Sequence, residues 1–260
     1  MLLNSIIRYL VSAKDEHAIH SPFVFDLYVN IIKKDIQYTD FELINRLRNT
    51  LKSRKDTIQI TDFGAGSKIN RSNVRNIGDI AKNSEKPPRL GRLFYRIIQK
   101  FNSKTIFDLG TSLGITTAYL AFANKNAEVF TFEGCAETAK IAQRNFKELG
   151  IENIEIIIGN IDETLIKKIE TVSKIDFAFF DANHRYEPTI KYFEACLEKA
   201  HEDSIFIFDD IHWSAEMEAA WETIKSHSSV TITIDLLWVG IIFFRKKQPK
   251  QDFILRFPFW

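Results

Sequence analysis

The sequence predicts a doubly wound α/β fold: a mostly parallel, seven-stranded sheet with an antiparallel hairpin at its edge, preceded by a mainly helical N-terminal extension. Three observations predict it. Five short apolar runs between Thr105 and Asp210 each end in an acid or a glycine. Amphipathic stretches of helix length separate them, the pattern of parallel strands joined by crossover helices. Two more apolar runs then follow with almost no linker and are expected to pair as a hairpin.

In chain order, residues 2–13, 22–35 and 40–53 read as helices, Thr57–Thr61 as a short strand, and 88–101 as another helix. Pro87-Pro88 starts that last helix well, because the first turn does not use the missing N–H. The parallel runs are Thr105–Gly110, Ala127–Glu133, Ile154–Gly159, Ile175–Asp181 and Ser204–Asp210, and the hairpin runs are Val230–Asp235 and Leu237–Phe244. This divides the chain into an extension or substrate cap over 1–100 and a core over 101–260. The closing segment Phe253–Trp260 is too apolar to stand in water and is expected to pack on the domain or on a second copy in a homodimer.

Composition narrows the function classes. A formal charge of +1, with no Lys/Arg run longer than three, supplies no field to draw in nucleic acid. Two cysteines without metal-type spacing indicate neither a disulfide framework nor a zinc site. Asn4 and Arg8 interrupt the apolar N-terminus, which reads as an amphipathic helix rather than a signal peptide. No stretch approaches the ~20 apolar residues of a membrane span. The expectation is a cytoplasmic protein acting on a small molecule, with neither nucleic acid nor a membrane span involved.

Asp108-Leu-Gly-Thr-Ser-Leu-Gly114 follows a strand and opens a helix. Gly110 permits a tight turn, Gly114 permits close approach, and the helix N-terminus offers unpaired N–H groups to a ligand. Glu133 ends the next strand, about twenty residues on, where an acid can accept both hydroxyls of a ribose. A second glycine loop, Asp62-Phe-Gly-Ala-Gly-Ser67, also follows a β-like run, but the polar Lys68–Asn76 after it cannot be a buried crossover helix, so it reads as a surface turn near the cleft.

On these residues the segment from 84 to 246 resembles a class I S-adenosylmethionine-dependent methyltransferase, especially the metal-dependent O-methyltransferases of the catechol and sugar- or antibiotic-modifying kinds. Asp108-x-Gly110-x-x-x-Gly114 matches that family's first cofactor loop, and Glu133 its ribose-binding acid. Gly159-Asn-Ile-Asp162 sits where the family holds adenine. The resemblance thus implies S-adenosylmethionine bound by Asp108, Gly110, Thr111, Gly114, Glu133, Asn160, Ile161, Asp162 and Asp181.

The ends of the fourth and fifth runs carry the chemistry. Asp181-Ala-Asn-His184 and Asp209-Asp210-Ile-His212 place three carboxylates at neighbouring strand ends, where they would repel one another unless a divalent cation lay between them. Oxygen ligands favour magnesium, manganese or calcium, while His184 or His212 leaves room for iron or zinc. In the resembled enzymes an acid after the fourth strand and an acid pair after the fifth hold magnesium, which here implies Asp181, Asp209 and Asp210. The expected reaction is metal-assisted methylation of a hydroxyl. His184 and Asp181 are the catalytic pair, with His184 taking the hydroxyl proton and His212 a second candidate base. An NAD(P)-dependent oxidoreductase and a non-catalytic cofactor-binding protein are the alternatives.

Overall fold

The structure, a computed structural model, describes residues 3–61, 73–83 and 85–258. The glycine loop at Gly64 and Gly66, Arg71, Ser84 and Trp260 lie outside the described residues. The N-terminal part holds α1 (Leu3–Ser12), α2 (Pro22–Leu27), α3 (Thr39–Ser53), β1 (Thr57–Gln59), β2 (Val74–Asn76), α4 (Ile77–Asn83) and α5 (Pro88–Phe101). The alternation follows as β3 (Thr105–Leu109), α6 (Ile115–Ala123), β4 (Glu128–Glu133), α7 (Ala136–Glu148), β5 (Ile154–Ile158), α8 (Ile161–Thr171), β6 (Phe177–Phe180), α9 (Tyr186–Leu197), β7 (Ile205–Asp209) and α10 (Ala215–Ser226). The chain closes with β8 (Ile232–Asp235), β9 (Val239–Phe243) and β10 (Gln251–Ile254). The described residues form two compact units, 35–167 and 3–34 with 168–258.

In the unit 35–167, β3 pairs with β4 and β4 with β5, all parallel, in a register that sets Leu109 beside Phe132 and Glu133 beside Ile158. The acid of β4 and the glycine loop after β3 therefore share one edge. Every residue of α6 is buried, and α5 presents Gly91 to the Tyr119 ring, where a Cβ would come within 2.4 Å. The short β1 pairs with β2 in a separate antiparallel ribbon, so the Val74–Asn76 end of the polar stretch is strand rather than open turn. Arg89, Arg92 and Arg96, three residues of one face of α5, converge on Asp35, with Arg92 bidentate at 2.7 Å. Burial holds the Arg96 guanidinium down at about 10, against the pull of Asp35.

In the other unit, β6 and β7 are parallel, β7 pairs antiparallel with β9, and β9 antiparallel with β8. The β8/β9 hairpin is the expected one. An eighth sheet strand departs from the expected seven: β10 runs parallel to β8, with Ile254 beside Asp235. Its four residues carry no strong strand pattern, and the unused edge of β8 supplies their partner. β6, β7 and β9 are buried along their whole length, which explains their unbroken apolar runs. The His20-Ser-Pro-Phe23 turn is a helix start: Ser21 accepts the Val24 N–H, Pro22 occupies the first turn, and Phe23 packs edge-on to Phe243 beneath the Arg245 guanidinium. α1 is amphipathic as expected but turns its apolar side outward, with Leu3, Ile7, Leu10 and Val11 exposed, and docks through Ser5 and Tyr9.

Candidate active site

The glycine loop after β3 is shaped by two positive-φ glycines and by borrowed side chains. Gly110 and Gly114 both adopt positive φ, at 118° and 82°, as the sequence requires of a turn this tight. The N–H groups of Gly110 and Thr111 bond to Phe132 O of β4, and Gly114 N–H closes back on Thr111 O. Glu133 then grips the loop: one carboxylate oxygen accepts Ser112 N–H at 2.9 Å and the other Cys135 N–H at 2.8 Å. Gly159 N–H donates to Glu133 O at 3.0 Å, which seats the segment Asn160–Asp162 beside it. Within that segment Asn160 Oδ1 accepts the Asp162 N–H and its carbonyl receives Thr164, so Asn160, Ile161 and Asp162 form the start of α8.

Asp108 and Thr111 stand differently from the glycines. Asp108 is fully buried, and its Oδ2 accepts the hydroxyls of Thr117 at 2.6 Å and Thr131 at 2.8 Å. Thr111 Oγ1 lies 2.6 Å from Thr131 Oγ1. Both side chains thus brace the loop from beneath. Two braces were not legible in the sequence: Glu85 accepts Leu113 N–H at 3.3 Å, and buried Asn145 of α7 donates to Leu113 O at 2.8 Å. Neither carries a local signal, since each meets the loop from about thirty residues away.

The other unit carries the acid group. Asp181 follows β6 and Asp209 ends β7, and together with His184 they offer three ligand atoms all within 4.8 Å of one another. His184 Nε2 lies 3.4 Å from Asp181 Oδ1, and its ring stands 5.9 Å from that of Trp213. Asp209 is 1% exposed. Two carboxylates and an imidazole this close, one of them fully sheltered from water, fit a divalent cation, because the charge repulsion otherwise has little solvent to screen it. Asp210 is not in this group; it takes a left-handed φ of 52° and its carbonyl accepts Trp213 N–H.

His212 is not in the group either. It is 2% exposed and both ring nitrogens are engaged, Nε2 with Asp235 Oδ2 at 2.8 Å and Nδ1 with Glu218 Oε1 at 3.0 Å. Burial alone would drive its proton off, but the hydrogen bonds and charges of Asp235 and Glu218 prevail and hold its pKa above the ordinary histidine value. A ring committed on both sides has no nitrogen left to take a substrate proton.

A family described as a methyltransferase domain matches residues 107–211, the span from β3 to just past β7 that holds both groups. This stretch of the chain is a methyltransferase domain, which speaks against the dinucleotide oxidoreductase. A catechol O-methyltransferase of Niastella koreensis is 27% identical over 127 residues, covering 48% of this chain and 57% of that protein. An uncharacterized RNA methyltransferase of Fusobacterium nucleatum is 26% identical over 160 residues, covering 61% of this chain and 34% of that protein. The chain therefore spans about half the length of the first curated relative and a third of the second. The O-methyltransferase from Bacillus cereus, solved in complex with SAH, superposes with a TM-score of 0.55 at 17% identity, over 84% of this chain and 94% of that one. That match shows a shared Rossmann-like fold. Among the described residues no helix is long and apolar enough to cross a membrane.

Proposed function

We propose that this methyltransferase moves a methyl group from S-adenosylmethionine to a hydroxyl of a small-molecule acceptor, with a divalent cation, magnesium or manganese, held by Asp181, His184 and Asp209. The observation that carries the metal-assisted reading is the grouping of those three side chains within 4.8 Å. The donor would be held by the loop from Gly110 to Gly114, by Glu133 at the ribose and by Asn160–Asp162 at the adenine, and it supplies a methyl carbon on a sulfonium. A cation in the acid group would stabilise the oxyanion that a hydroxyl becomes as its proton passes to water, and the carbon–sulfur bond of the donor breaks as the new carbon–oxygen bond forms, leaving a neutral thioether.

The chain's own residues do the rest. Gly114 leads into the first turn of α6, whose leading N–H groups have no partner within the helix and suit the carboxylate end of the donor. Asp209, buried at its strand end, holds its carboxylate in one orientation. His184 stands in the group with Nε2 3.4 Å from Asp181 Oδ1, which supports reading it as a ligand before a base. Enclosure of the acceptor falls to the N-terminal hundred residues, because the βα strands supply a donor site and little to surround a second reactant. Binding titrations on the purified chain test the reading. It expects S-adenosylmethionine and one manganese ion per chain to bind, NAD not to, and methyl transfer to a vicinal diol such as a catechol to stop with chelator. Methylation of RNA but not of small hydroxyl compounds would overturn it.

A further inference from the structure

We propose that His212 is a positioning residue: by bridging Asp235 and Glu218 it fixes the turn after β7 so that Asp209 meets Asp181 and His184, and it fastens the N-terminal helix α1 to that turn. The inference rests on the metal-assisted reading above and extends it to residues outside the ligand group.

The turn needs such a device. Asp210 holds a left-handed φ of 52° without being glycine, an unfavourable conformation that persists only where its surroundings impose it. On one side the chain is held by the ladder of β7. On the other, Ile211 is buried, Trp213 N–H closes on Asp210 O at 2.9 Å, and Ser214 caps α10 by accepting Met217 N–H. His212 is the side chain in between. Carboxylate oxygens only accept, so both of its ring nitrogens donate, at 2.8 Å and 3.0 Å. Charge-assisted bonds of this kind are the strong and directional ones.

The two acids come from different elements, which makes the bridge a clamp. Asp235 ends β8, and its other oxygen accepts Leu237 N–H at 2.7 Å, shaping the turn into β9. Glu218 lies one turn into α10 and is also the attachment point of α1: Ser5 Oγ donates to Glu218 Oε1, and Arg8 Nη2 stands 3.7 Å from it. Further along the same helix, the Tyr9 hydroxyl donates to Leu255 O at 2.7 Å and accepts Phe257 N–H at 3.0 Å. Strand end, helix start and N-terminal helix are thus joined through one imidazole, three residues past Asp209.

The test uses the full chain and manganese chloride as the probe, with S-adenosylmethionine affinity as an internal control. Wild type is expected to bind one manganese ion. His212→Ala should weaken that affinity tenfold or more while leaving donor affinity within twofold. Glu218→Ala, which leaves the buried imidazole in place, is measured beside it, with a threefold or greater loss expected, and Glu218→Gln, which keeps an acceptor oxygen for His212, should restore most of it. Ser5→Ala should weaken binding in wild type and add nothing in the Glu218→Ala background. Wild type that binds no manganese overturns the metal reading and this inference together. Wild type that binds, with Glu218→Ala or folded His212→Ala binding equally well, overturns the positioning role alone.

Discussion

Glu133 reaches from the end of β4 to the backbone N–H of Ser112, 2.9 Å away in the loop after β3. The acid proposed for the ribose therefore also shapes the glycine loop. Replacing it would remove the proposed ribose contacts and loosen the loop at once. Hydrogen bonds to a charged group contribute roughly 1.5–3 kcal/mol each, so Glu133→Ala is expected to weaken S-adenosylmethionine binding at least tenfold by calorimetry. Unchanged affinity in a folded variant would remove Glu133 from the donor site.

Gly114 is constrained twice. Its φ is 82°, and a Cβ there would lie 2.5 Å from the Phe146 ring of α7. Left-handed strain costs about 1–2 kcal/mol and overpacking about 1–3 more. Gly114→Ala should lower the urea midpoint and weaken donor binding by an order of magnitude. Adding Phe146→Leu should recover the packing part and leave the backbone part. Full recovery in the double variant would mean that φ at this position carries no strain.

The parallel strands and their acidic ends were legible because each is a local event: an apolar run buried on both faces, closed by Asp181, Glu133 or Asp209. What escaped the sequence is what two distant segments decide together. β10 exists because β8 has an edge to pair with, and Gln251–Ile254 alone does not announce it. Arg89, Arg92 and Arg96 carry no local sign of a partner, whereas the fold brings Asp35 to them from more than fifty residues away. His212 read as a spare base until Asp235, 23 residues on, occupied it. Asp108 matched a cofactor motif by spacing, but spacing says nothing of where a carboxylate points.

Asp108 is fully buried with two threonine hydroxyls on one oxygen. Asp108→Ala should cost several kcal/mol of folding free energy, since two charge-assisted bonds at about 1.5–3 kcal/mol each are lost. Thr117→Val removes one donor and should cost about half as much by denaturant unfolding. An Asp108→Ala protein as stable as wild type but unable to bind the donor would make Asp108 a ligand-facing residue instead of a brace.

The acid group separates two roles for His184. With Nε2 3.4 Å from Asp181 Oδ1 and Asp209 in the same group, loss of any one side chain should be felt by a cation. Asp209→Asn replaces a charged oxygen donor by a neutral one and should weaken manganese binding at least tenfold, with S-adenosylmethionine affinity measured beside it as the control. His184→Ala is the sharper experiment. Reduced manganese affinity, measured without any acceptor, is the expected result and makes the imidazole a ligand. Full manganese affinity with methyl transfer lost, and partly regained as the pH is raised, would instead make His184 the group that takes the hydroxyl proton, and would return the third ligand position to a neighbouring acid such as Asp210.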